Sequence, residues 1–397
     1  MFAMHYKKIF YNRYFLLFFI VIIGLSIINV ALGKDTLPLL LKQIIGVGLS
    51  SLAFYCVIAA NNGDVKRLFV IYLKMAFLVA LIGIIQQVSF LFDFRWGYDF
   101  SYFLPSYWKY VTSADGTMLR VNSITFEPSG FCVVMMPAFF AAIMALIPFK
   151  EKSVKMYVTY KSLIVIVAML LSFSSIGYLG MGIATFLIAI NYMRSKKYVM
   201  ISLFIVFIAI ATGSFVYNGI RDIKGRVNSM LSVHELLAGD KQLTDFNQSS
   251  SALFSNAYVA FKSFTSNPLF GSGLGSHELS YSKYIDDLIG SNTGLRYFLF
   301  INMADANSLF LRLISETGLI GTIAIFIFMF KFYLKRESVY NNYLWVINNA
   351  ILINFIMRLV RVGHYFDSGF FFFFWIYYFS KTNQITHKNN RYNEAHI

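Results

Sequence analysis

Residues 67–92 read RLFVIYLKMAFLVALIGIIQQVSFLF. Apart from Arg67 and Lys74 the stretch holds no charge, and it is long enough for a helix to cross a bilayer core, which takes about 20 apolar residues. Similar runs recur at 10–32, 37–60, 130–149, 157–173, 175–193, 198–218, 306–334, 341–360 and 366–380. The last is short and could begin nearer Val362, which would bury His364 and Asp367. The 397-residue chain is 58% hydrophobic and 13% charged, whereas a soluble domain carries about 25% charged residues. The expectation is an all-α, polytopic membrane bundle of about ten transmembrane helices.

Charge gives the bundle a direction. The formal net charge is +15, and counted alternately from an inner N-terminus its distribution is lopsided. Inner segments hold 18 basic residues, among them Lys66, Arg67, Lys196, Lys197, Lys335 and Arg336, and four acids, Asp64, Glu151, Glu337 and Glu394. The rest holds 16 basic and 15 acidic residues. That bias is the positive-inside pattern; it predicts cytoplasmic termini and explains the basic balance without nucleic acid. The first run is too long for the apolar part of a signal peptide and reads as a retained anchor. Cys56 and Cys132 fall inside separate runs and suggest neither a disulfide framework nor a zinc site.

The chain thus reads as one transmembrane domain, 1–397, with two large outer loops at 93–127 and 219–305. Within the second, Leu253, Phe254, Ala257, Tyr258 and Phe261 recur at helical spacing across 251–264, and Asn267-Pro268 should end that helix.

Three constellations could carry chemistry. In RVNSITFEPSG (120–130), Pro128 suits the first turn of a helix. That leaves Glu127 at the N-cap and Arg120 near an outward-facing helix N-terminus that favours anions. An ordinary cap with a surface arginine explains the same residues. In ADANS (304–308), followed by LFLRLISETGLIG (309–321), Asp305, Asn307 or Ser308 could cap the next inward helix. Arg312 and Glu316, four apart, could pair, either as a structural ion pair or toward a cavity. In NPLFGSGLG (267–275), Gly271 and Gly273 allow close backbone approach to a phosphate or sugar, or simply form a turn. Arg296, Arg358 and Arg361 could grip a diphosphate or anchor the interface, and Arg358 should point inward or snorkel. His277 could be a base or a solvated loop residue. No HExxH, GxSxG or Walker pattern occurs, so neither a metal nor a nucleotide site is expected.

The order of these motifs, an arginine before FEPSG (126–130), then NPLFGSGLG, then NSLFLRLISETGLIG (307–321), resembles the O-antigen ligase/polymerase superfamily, most closely a Wzy-type polysaccharide polymerase. The resemblance implies a GT-C-like fold in the bacterial inner membrane and a metal-independent, cofactor-free glycosyl transfer at its outer face. Its substrate would be a polyprenyl-diphosphate-linked oligosaccharide held among membrane lipid, with a chain-length regulator as a protein partner. Arg120, Glu127 and Asp305 become the catalytic candidates; Asn307, Arg296, Arg358, Arg361, Gly271, Gly273 and His277 become the substrate-binding ones. Ligase relatives carry histidine before the asparagine, where this chain has Ala306; that favours the polymerase over the ligase. A lipid-linked oligosaccharide flippase and a non-catalytic assembly subunit are the readings from other classes.

Overall fold

A computed structural model describes residues 13–105, 108–112, 116–146, 158–192, 248–289, 302–336, 342–367 and 369–394. Among them the chain is helical throughout: no strand forms beyond one isolated antiparallel bridge, Thr112 to Leu119. The helices are α1 (Arg13–Ala31), α2 (Leu37–Ala60), α3 (Val65–Leu91), α4 (Arg95–Tyr98), α5 (Pro128–Leu146), α6 (Thr159–Leu170), α7 (Ser175–Tyr192), α8 (Gln248–Ser266), α9 (His277–Ile289), α10 (Leu309–Phe332), α11 (Asn342–Arg361) and α12 (Phe370–Glu394). Of these, α2, α3, α5, α10 and α11 are long and apolar enough to cross a membrane. Segments of α1, α6 and α7 are apolar but shorter. The chain is a multi-pass membrane protein. The expected span at 198–218 lies outside the described residues. The final run begins at Phe370, so His364 and Asp367 stay exposed rather than buried.

The described residues fall into two compact units. The first draws on Met1–Ala60, Gly225–Lys331 and Arg358–Phe372. In it α8 and α9 pack through Val259, Tyr281 and Ile285. A second cluster joins Leu309 and Leu313 of α10 to Tyr365. Helix α8 covers the periodic 251–264 stretch and stops at Ser266, just before Asn267-Pro268.

The second unit draws on Asn61–Lys224, Phe332–Met357 and Phe373–Ile397. Asp64 caps α3, accepting the Arg67 N–H at 2.9 Å. Helix α5 opens on Pro128 as its first-turn chemistry requires, yet it also contains Pro137. A proline there removes one N–H from the ladder and frees the carbonyl four residues back. Two side chains from other helices repair the gap. The Asn354 amide donates to the Val133 carbonyl. The Tyr72 hydroxyl inserts next to it, donating to the Val134 carbonyl at 2.7 Å and accepting the Ala138 N–H at 3.1 Å. Backbone groups at membrane depth have no water to turn to, so such repairs are obligatory. Elsewhere in the unit, the buried Asn348 amide donates to the Phe332 carbonyl at 2.9 Å and the Ser380 hydroxyl at 2.8 Å, and its oxygen accepts the Leu334 N–H at 2.9 Å.

Candidate functional site

Helix α10 organises the first unit. The Ser308 hydroxyl caps it, accepting the Leu311 N–H at 3.3 Å and donating to the Leu359 carbonyl at 2.6 Å. Before the cap, Ala306 and Asn307 are both left-handed, at φ 58° and 59°. Two such non-glycine residues in succession are costly, and strain of this kind gathers where function requires a fixed geometry. The Asp305 carboxylate accepts the Asn307 N–H at 3.0 Å and so helps hold the turn. Asn307 is 3% exposed, and its Nδ2 has no acceptor among the described residues. From the other side Gly363 presses its backbone onto the Asp305 carbonyl, leaving no room for a Cβ.

One turn further along lies a buried ion pair. Arg312 Nε donates to Glu316 Oε1 at 2.9 Å, with both residues 1% exposed. Arg312 Nη1 donates to the Gly363 carbonyl at 3.1 Å, and its guanidinium lies 4.3 Å from the centre of the Tyr365 ring. The Tyr365 hydroxyl donates to Glu316 Oε2 at 2.8 Å. Burial first, and the Glu316 charge second, push that hydroxyl well above the ordinary tyrosine range, so it stays a donor. Buried charges survive only when their donors and acceptors are met in this way.

Immediately after Glu316 and Thr317 the helix breaks. Gly318 sits at φ 60°, ψ −158°, a region open essentially to glycine alone. The break frees backbone groups, and the Pro268–Gly273 turn takes them up. Ser272 and Gly273 donate to the carbonyls of Ser315 and Glu316 at 3.0 and 2.9 Å. Leu319 and Ile320 donate to those of Pro268 and Leu269 at 2.9 and 3.2 Å. Gly271 and Gly318 allow this backbone-on-backbone contact, since a Cβ on either would strike the opposing chain. Irregular backbone in a membrane helix requires such a partner or a cavity.

The α1–α2 corner closes over the same turn. Asn29 and Ser26 reach Gly271 and Leu274. Asp35, 4% exposed, accepts the Thr36 N–H at 2.7 Å through Oδ1. Its Oδ2 borders Gly273 and has no donor among the described residues. Burial lifts this carboxyl to about 6, against the lowering by the Thr36 N–H, and the Glu316 charge adds to the rise. A raised carboxyl favours the folded state fully below its ordinary value of 3.8, and that contribution is lost as pH climbs through about 6. Asp35→Asn should therefore raise the thermal midpoint at pH 8 while leaving it near wild type at pH 4. An equal shift at both pH values would show that ionisation is not the cause.

His277 opens α9 in the buried interior. Its Nδ1 meets the Ser315 hydroxyl at 2.9 Å and its Nε2 the Asn256 amide oxygen at 3.0 Å. Burial, reinforced by Arg312, lowers the imidazole to about 3. It is neutral at physiological pH, and both nitrogens are engaged. Arg358 is fully buried, donating from Nη1 to the Asp367 carbonyl at 3.3 Å over the Phe370 ring. It points inward. Arg361 is half-buried, with Nη1 3.5 Å from the Ser249 carbonyl. Arg296 lies outside the described residues.

Arg120 and Glu127 belong to the second unit. The Arg120 N–H bonds the Val111 carbonyl at 2.8 Å, and that of Val121 bonds Leu171 at 3.0 Å. The half-buried Arg120 side chain is within electrostatic reach of Cys132 and Tyr178. Glu127 is exposed ahead of α5; its carbonyl accepts the Phe131 N–H at 3.0 Å and its carboxylate the Ser129 hydroxyl at 2.9 Å. Among the described residues no group of three or more His, Cys, Asp or Glu is placed to hold a metal ion.

Sequence reading missed Tyr365, Asp35 and the docking of the glycine turn onto the Gly318 break. The one available signal was the repeated glycine spacing in FGSGLG (270–275) and TGLIG (317–321). A family model described as O-antigen ligase (Wzy_C) matches residues 162–326. The match is under half of the chain, but it contains the glycine turn, His277, the Asp305–Asn307 strain and the Arg312–Glu316 pair. It supports the O-antigen ligase/polymerase superfamily. No curated protein and no solved structure matches the chain.

Proposed function

We propose that this protein is a polysaccharide polymerase. It transfers a growing glycan from its polyprenyl diphosphate carrier to the non-reducing end of a fresh lipid-linked repeat unit. The observation that carries the reading is the strained Ala306–Asn307 turn, with its buried Asn307 amide donor, inside the segment matched by the O-antigen ligase family model. An acceptor-seeking amide at the start of an apolar helix suits an oxygen-rich ligand, and sugars and phosphates are both of that kind. The expected architecture of about ten spans, GT-C-like, with cytoplasmic termini in a bacterial inner membrane and a chain-length regulator as partner, belongs to the same proposal.

In the reaction an acceptor hydroxyl oxygen bonds to the anomeric carbon of the chain. The bond from that carbon to the diphosphate oxygen breaks, and the diphosphate leaves with the electron pair. Charge therefore builds on the leaving group, and an arginine neutralises it there, with Arg120 the first candidate and Arg296, Arg358 and Arg361 the alternatives. The hydroxyl proton passes to Asp305 or Glu127, a carboxylate being a competent base within hydrogen-bond reach. Asn307 orients sugar or phosphate oxygens, while the Gly271–Gly273 turn, its N–H groups spent on Asn267, Ser315 and Glu316, and His277, bonded to Ser315 and Asn256, hold the backbone around the Gly318 break. No metal ion is required, because the diphosphate already leaves readily.

A ligase is the second reading, favoured by the description of the matching family model. Ala306, where ligase relatives carry histidine, favours the polymerase. Deleting the gene and analysing the surface glycan separates the readings. A single repeat unit on the final acceptor is the expected result. Full-length polymer stranded on the carrier would instead identify a ligase, and no repeat at the outer face a flippase.

A further inference from the structure

The exposed face of α3 is an apolar stripe. Ile71, Met75, Leu78, Leu81, Ile85 and Val88 recur every three or four residues and are all exposed. At the end opposite Lys66 and Arg67 the stripe runs into a different surface. Phe92, Phe94, Trp96, Tyr102 and Phe103 each present more than half of their area, up to 81% for Phe92. Trp96 stacks on Tyr102 at 5.1 Å and 17°, and Phe103 packs on Trp96 at 5.5 Å. The exposed Arg95 side chain hydrogen-bonds Tyr102. A soluble surface would not hold five large exposed rings contiguous with a lipid-facing stripe. Tryptophan and tyrosine with a neighbouring arginine at the end of a span are the chemistry of the lipid–water boundary.

This surface is tied to Arg120 by one buried side chain. Gln86 of α3, 1% exposed, donates from Nε2 to the Tyr98 carbonyl and to Asn122 Oδ1, each at 3.0 Å. Its Oε1 accepts the Ser123 N–H at 3.0 Å. Tyr98 lies between Trp96 and Tyr102 in the chain, and its ring meets Tyr110 edge-on at 5.0 Å. Asn122 and Ser123 follow Arg120 after Val121 alone. The aromatic segment and the arginine are thereby held in one rigid register.

We propose that the Phe92–Phe103 segment seats in the phospholipid interface, and that Gln86, as a positioning residue, fixes Arg120 at that depth. A lipid-linked diphosphate must present its charge at that same depth, since its polyprenyl tail lies in hydrocarbon and its sugars in water. The lipid contact stands independently of the reaction; the role given to Arg120 rests on the function proposed above.

The test reconstitutes the full chain into nanodiscs of lipids brominated either near the glycerol end or near the terminus of the acyl chain. The emission lost in Trp96→Phe is the Trp96 component. It should be quenched strongly by bromines near the glycerol, weakly by terminal bromines and little by aqueous iodide. Quenching by iodide alone, or by neither agent as under a second copy or another protein, would overturn the lipid seat. Gln86→Leu should leave that quenching in place and shorten the glycan ladder. A normal ladder in Gln86→Leu, or a shortened one accompanied by loss of the Trp96 quenching, would overturn the positioning role. A normal ladder in Arg120→Ala alone would instead sink the functional reading and leave the lipid contact standing.

Discussion

Gly318→Ala is expected to abolish most of the folded protein. The residue sits at φ 60°, ψ −158°, where a side chain costs about 1–3 kcal/mol in backbone strain alone. An added Cβ would also lie 2.6 Å from the Gly271 nitrogen and the Leu269 oxygen, both rigid backbone atoms. The Pro268–Gly273 turn would have to lift, and with it go the backbone bonds to Ser315, Glu316, Leu319 and Ile320. At about 1 kcal/mol net for each bond, the loss approaches the whole stability of a typical domain, roughly 5–15 kcal/mol. The control is Gly48→Ala. Gly48 lies inside α2 with open space where the Cβ would go, so helix propensity predicts a neutral or slightly stabilising change. Monodisperse yield and thermal midpoint in detergent measure both variants. Wild-type behaviour of Gly318→Ala would refute the broken helix.

Arg312→Met should be the most damaging single change among the buried side chains. It strands the Glu316 carboxylate in the interior with only Tyr365 and a 3.4 Å contact from the His277 N–H. Breaking one half of a buried pair costs about 3–5 kcal/mol. Replacing the set together, as Arg312→Met, Glu316→Leu and Tyr365→Phe, removes the orphaned charge and should recover most of that loss. If the triple variant is no more stable than Arg312→Met, the pair is held for a reason other than mutual neutralisation.

The elements of the fold that were legible in the sequence are those fixed by local chemistry. Among the described residues the long apolar runs became helices because a bilayer admits little else. Pro128 opened α5, Asn267-Pro268 closed α8, and the four-residue spacing of Arg312 and Glu316 gave a buried ion pair. Ser308, one of three cap candidates before α10, is the one that caps it. What could not be read depends on contacts across long stretches of chain. Tyr365 meets Glu316 from 49 residues away. Nothing near Gly318 announces that its partner is a turn around Gly271, nor does DTL (35–37) announce a carboxylate folded over Gly273. Pro137 stays inside a continuous α5 because Tyr72 and Asn354, both distant in the chain, meet the backbone groups around it. His277 shows the converse. A loop histidine reads as solvated or as a base, whereas the fold buries it as a neutral hinge between Ser315 and Asn256.

The catalytic candidates were chosen by residue type and motif order, and they stand as proposals for the same physical reason. A carboxylate or an arginine becomes catalytic only through its surroundings. Asp305 is committed to the Asn307 turn, Glu127 is exposed at its helix start, and Arg120 is set in a strand-like segment braced by Gln86. Each is consistent with a role at a diphosphate or at an acceptor hydroxyl, and a single reaction assay judges them.

That assay places purified protein in liposomes with polyprenyl-diphosphate-linked repeat units and resolves the glycan products by size. Wild-type protein is predicted to give a ladder of chain lengths. Arg120→Ala, with the same thermal midpoint, is predicted to leave single repeats. A normal ladder from Arg120→Ala, or no ladder from the wild-type protein, would contradict the account.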